Sequence, residues 1–157
     1  MRIAKIIFLI LILKGVVLAT PFSIKSLKNN NINIVAFVTS WCPVCQKLNN
    51  HLLKLSNKDS EIFVTLLFID EKIPNNLQRS NNLKLFSIPL LEAKKFGVDK
   101  SVPYILIFDK KREIVKKYHT FNRILIDKLV NNLKNNLYEN GTLPPEKRID
   151  LWQKNRF

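Results

Sequence analysis

The chain has 157 residues, with 26 Lys+Arg against 12 Asp+Glu and a formal net charge of +14. That length suits one domain. The 46% of hydrophobic residues excludes intrinsic disorder, the 3 glycines exclude a fibrous repeat, and the 2 cysteines exclude a multi-bridge scaffold.

Met1 to Ala19 has a positive start at Arg2 and Lys5, an unbroken apolar run from Ile6 to Leu13, and small residues at Val17-Leu18-Ala19. This is the pattern of a secretory signal, with cleavage expected near Ala19. The rival is an uncleaved anchor, but Ile6 to Leu18 makes only about 20 Å of helix against a bilayer core of roughly 30 Å. Loss of residues 1–19 would lower the charge to +11. The charge travels with 18 Asn, a bias that an AT-rich genome produces by itself. A basic balance bears on solubility and non-specific binding, not on fold. Export places the rest of the chain in an oxidising compartment, where thiols tend toward disulfides.

Residues 20–31 are polar, with Phe22, Ile24 and Leu27 as packing points. Ile32 to Thr39 reads as a strand buried on both faces. Ser40-Trp41-Cys42-Pro43 ends it, and Pro43 suits the first turn of a helix over 43–56 with Leu48, Leu52 and Leu55 on one face. Glu61 to Ile69 is a second buried strand. Pro74 to Leu85 is expected to be a helix, Ser87 to Leu91 an extended piece, and Glu92 to Phe96 a helical turn capped by Gly97. Tyr104 to Phe108 and Glu113 to Tyr118 form a hairpin about Asp109 to Arg112. Ile124 to Leu137 gives a final amphipathic helix, and Asn140-Gly141 stops it. The expected organisation is a signal over 1–19, one domain over 20–140 and a tail over 141–157. Alternating helices and apolar strands predict an α/β sheet covered on both sides.

Both cysteines fall in Cys42-Pro43-Val44-Cys45, at a strand-to-helix junction. They are too close in sequence to staple a useful loop. The free N–H groups and positive dipole end of a helix N-terminus stabilise a thiolate there. Cys42 would be the attacking thiol, and Cys45, one turn further in, the resolving thiol. The rival is half of a zinc site, but zinc usually takes four ligands, no second CxxC exists, and His51 lies six residues beyond Cys45 on a different helix face. No metal and no cofactor are expected.

SWCPVC after an apolar strand, with Ser101-Val102-Pro103 before another, resembles the thioredoxin superfamily. The 58 residues from Cys45 to Pro103, the WCPVC segment, the export signal and the IFDKKREIV hairpin resemble its TlpA-like periplasmic branch, which includes the DsbE/CcmG cytochrome c maturation reductases and the ScsD-type proteins. The resemblance implies a thioredoxin fold, a central mixed sheet flanked by helices with an insertion before a cis-proline loop at Pro103. It also implies that Pro103 lies against the cysteines and that Val102 pairs with a substrate chain. A trans proline merely opening a strand is the alternative. Trp41, Pro43 and Val44 would support the site, with Trp41 either shielding the cysteines or sitting in the core. Ala36 stands where many thioredoxins carry a buried acid, and Asp70 and Glu71 are candidate substitutes or solvated strand-end acids. His119 falls near the site's rim.

The expected function is thiol:disulfide exchange on exported proteins, as a periplasmic monomer acting as a reductant with a membrane-bound electron donor or acceptor. An oxidant or isomerase is the runner-up, and a non-catalytic peptide-binding module a further alternative. No RNA-binding signature or dense basic run exists, so no nucleic-acid partner is expected.

Overall fold

The computed structural model describes residues 22–77, 80–99 and 101–135. The expected signal and tail, with the domain boundaries at 19/20 and 140/141, lie outside them.

Five strands form one sheet: β1 (Ile32–Val38), β2 (Ile62–Phe68), β3 (Leu83–Ser87), β4 (Tyr104–Phe108) and β5 (Ile114–Tyr118), in the order β3-β2-β1-β4-β5. β1, β2 and β3 are parallel, β4 is antiparallel to β1, and β5 is antiparallel to β4. The helices are α1 (Pro43–Lys58), α2 (Leu90–Lys94) and α3 (Arg123–Lys134), and a 3₁₀ turn spans Ile24–Ser26. This is the expected mixed α/β sheet.

Every residue of β1 and β2 is buried. Alternation of side chains across the sheet explains why both runs are apolar on both faces, with Asn33 and Thr65 the only polar residues in them. Ile32, Ile34, Ala36 and Val38 face a core shared with Leu48 and Leu52 of α1 and Ile126, Val130 and Leu133 of α3. Val35 and Phe37 face a second core with Phe22, Leu27, Ala93 and Val98. The one polar side chain inside β1 that no solvent reaches, Asn33, is held locally. It accepts from the Lys28 N–H at 2.9 Å and donates to the carbonyls of Lys28 and Asn31, both at 2.9 Å.

The segment after β2 corrects the expected helix over Pro74 to Leu85. Asn75 and Asn76 lie in a turn, and residues 83–87 are a strand. Asn competes with helix by bonding its own backbone, and Leu83-Lys84-Leu85 carries the two-residue period of a sheet edge. Leu83 and Leu85 both join the α1-side core. The extended piece over Ser87 to Leu91 is shorter than expected, because Pro89 caps α2 and Leu90 already belongs to the helix. Gly97 has φ +89, the left-handed conformation that ends a helix at low cost in glycine.

Candidate active site at the N-terminus of α1

β1 runs out at Val38, and Thr39 to Trp41 carry the chain to Cys42, the N-cap of α1. Pro43 occupies the first turn, where no N–H is needed. Cys42 and Cys45 are paired as a disulfide with Cα atoms 5.1 Å apart. Cys42 is 6% exposed and Cys45 is 0% exposed, so any partner reaches the pair through Cys42. The Cys45 N–H donates to Cys42 Sγ at 3.1 Å, and the Gln46 N–H donates to the Cys42 carbonyl at 3.0 Å. A donor aimed at sulfur from a helix N-terminus favours negative charge there.

Two residues upstream, the Ser40 N–H and hydroxyl both donate to Asp70 Oδ2, at 2.9 and 2.5 Å. Burial pushes the Asp70 carboxyl up, but the two Ser40 bonds and further backbone bonds outweigh it and hold it below the usual carboxylate range. Asp70 is therefore an ionised clamp on the segment leading into Cys42. Its other oxygen, Oδ1, is buried without a partner among the described residues. Glu71 is exposed with φ 59. Ala36 lies between Leu66 and Ile105 in register, both fully buried, so the strands on either side of it offer no acid in place of the missing one.

The Val102-Pro103 bond is cis, Pro103 is buried, and Val102 packs against the core that contains both cysteines. Trp41 is 70% exposed, which removes it from the core. Its neighbours before it are held by Asp70 and those after it by the helix, so its ring is presented outward. Val44 is also exposed. His119 lies against Tyr104, ring centroids 5.0 Å apart, and burial pushes the Tyr104 hydroxyl up. His51 is bonded through Nε2 to Asp127 Oδ1 at 2.8 Å and thereby ties α1 to α3.

Sequence reasoning missed the apolar rim of this end of the sheet. Trp41 and Val44 flank the cysteines, Ile73 follows β2, Leu90 and Leu91 follow β3, and Ile124 and Leu125 open α3 after β5. These are seven of the nine large exposed hydrophobic residues of the described chain. The WCPVC motif points to Trp41 and Val44, but no local signal finds the other five, because each is an ordinary apolar residue in its own element.

No protein-family model and no curated protein matches the chain. Solved structures do. A thioredoxin-like protein from Aeropyrum pernix is 17% identical over 71% of this chain and 82% of its own, with a TM-score of 0.56. A protein described as the thiol:disulfide interchange protein DsbE from Chlorobium tepidum is 14% identical over 67% and 81%, with a TM-score of 0.53. A DsbF homologue from Corynebacterium diphtheriae is 15% identical over 66% and 73%, with a TM-score of 0.54. With the five-stranded mixed sheet, the CPVC pair at the start of α1 and the cis Val102-Pro103 bond before β4, the chain has the thioredoxin fold.

Proposed function

We propose that this protein is a thiol:disulfide oxidoreductase of exported proteins. The observation that carries the reading is the Cys42–Cys45 pair at the start of α1, with the Cys45 N–H on Cys42 Sγ and Cys45 sealed in the core. The apolar rim supports it, since an unfolded or extended protein segment offers apolar surface to match. The solved structures named for disulfide interchange support the same class.

In the reducing direction the Cys42 thiolate attacks one sulfur of a substrate disulfide. The substrate S–S bond breaks, a mixed disulfide forms, and the first substrate sulfur leaves as a thiolate that takes a proton from solvent. Cys45 then gives up its proton and its thiolate attacks Cys42 Sγ, the mixed disulfide breaks, and the second substrate sulfur leaves as a thiolate that takes up a proton. Two electrons pass from the dithiol to the substrate. Val102, Pro103, Trp41 and Val44 border the substrate chain near the pair, and Pro43 sets the first turn of α1.

A reductant role fits the TlpA-like resemblance and requires a membrane-bound donor to restore the dithiol. Residues 1–19 are the export signal in this reading, 20–140 the working domain and 141–157 a tail. No helix among the described residues is long and apolar enough to cross a membrane. Insulin reduction tests the chemistry: Cys42→Ser abolishes turnover and Cys45→Ser accumulates mixed disulfides on gels, whereas normal turnover by Cys42→Ser overturns it. Titration against glutathione tests the direction. A potential toward roughly −270 mV supports the reductant and one toward roughly −120 mV the oxidant.

A further inference from the structure

A concave site that neither cysteine lines lies between α1 and α3. It is a cleft of about 680 Å³. Its floor is apolar, from Leu55, Ile62, Phe121 and Val130, and its wall carries Lys47, Lys54 and Lys58 of α1. Two carboxylates reach it and both are engaged. Asp127 accepts from His51 at 2.8 Å and pairs with Arg123 at 3.5 Å, and Asp59 pairs with Lys134. The three α1 lysines make no ion pair among the described residues, and α1 contains no acidic residue at all.

These lysines form one stripe. Seven and four residues apart on a helix, they share a face and are spaced by about 10 and about 6 Å. An extended polypeptide advances roughly 3.3 Å per residue and its side chains alternate, so carboxylates two positions apart share a face about 6.6 Å apart; that matches the shorter gap, and the flexible lysine stems span the few ångströms by which the longer gap differs. Its intervening side chains point the opposite way, toward the floor. A single phosphate or small carboxylate would meet only part of a stripe about 16 Å long. A flat lipid surface would touch the rim of a concave cleft and leave its floor empty.

We propose that the cleft between α1 and α3 binds an extended segment of a partner protein in which acidic and apolar residues alternate, with Lys47, Lys54 and Lys58 taking the carboxylates. The proposal is independent of the redox chemistry and gives part of the chain's basic excess a defined place. Exposed lysines make the binding weaken with added salt.

The test uses the whole protein and a fluorescein-labelled ten-residue peptide of alternating Glu and Leu, read by fluorescence anisotropy at low and physiological salt. Wild-type protein binds saturably. K47E/K54E/K58E raises Kd by about tenfold or more, while K25E/K94E/K117E, an equal charge change elsewhere, raises it less than about threefold. Thermal melts establish that both variants fold, and K47Q/K54Q/K58Q gives an intermediate loss if reversal unfolds the chain. A Glu-Ser peptide binds more weakly than Glu-Leu. Equal loss in both triple variants, or no peptide binding at low salt, overturns the proposal. So does tighter binding of a single-stranded oligonucleotide or phosphatidylglycerol vesicles through the same lysines.

Discussion

The backbone N–H of Cys45 points at Cys42 Sγ across 3.1 Å, so the buried member of the pair supplies a donor to the outer one. The contact favours a thiolate at Cys42 over Cys45. In the reduced protein Cys42 alkylates with iodoacetamide faster than Cys45, by about tenfold or more. Mass spectrometry of timed samples checks it, and equal rates count against the assigned roles.

Asp70 stabilises the fold by holding Ser40. Its folded-state value is depressed, so this stabilisation is present above the ordinary carboxyl value of 3.8 and is lost as pH falls through the lower folded value. Asp70→Asn costs about 1–2 kcal/mol at pH 7. The gap between wild type and variant closes in strong acid. Thermal melts from pH 7 to pH 2 measure it, and a gap that persists to pH 2 refutes the clamp.

Ala36 tests the absence of a buried acid in the opposite sense. Ala36→Asp places a carboxyl between Leu66 and Ile105. Desolvation raises its folded value above the unfolded one, so the variant loses stability as pH rises. The loss at pH 7 is about 3 kcal/mol or more. Denaturant unfolding at pH 4 and pH 8 reads the sign.

Trp41 carries little packing at 70% exposure. Trp41→Ala changes stability by less than about 0.5 kcal/mol. It raises KM for insulin several-fold and leaves reduction of a small aromatic disulfide nearly unchanged. A large drop in melting temperature would make Trp41 structural instead.

Leu52 lies wholly inside the core between α1 and the sheet. Leu52→Ala costs about 2–5 kcal/mol, set by how far α1 can settle into the cavity. Urea unfolding followed by circular dichroism measures it.

Much of this molecule is written locally. The largely apolar runs of β1 and β2, Pro43 after Cys42, the Asp109 to Arg112 turn and the spacing of α3 each specify an element within a few residues of chain, because backbone preference and side-chain periodicity act over that range. The redox pair was legible for the same reason, since both cysteines and the helix start fall within one turn. β3 was not, because its Leu-Lys-Leu pattern is too short to outweigh the Asn-rich chain before it, and only the edge of β2 makes it a strand. Ser40 and Asp70 are 30 residues apart, and His51 and Asp127 are 76 apart. No local preference links such positions; the register of the sheet and the approach of α1 to α3 do. The same holds for the basic excess. The sequence alone determined that the chain is basic, and that α1 has lysines and no acids. Only the tertiary structure set three of those lysines along a cleft whose acids are already paired, because packing two helices on one sheet face decides which charges meet and which are left.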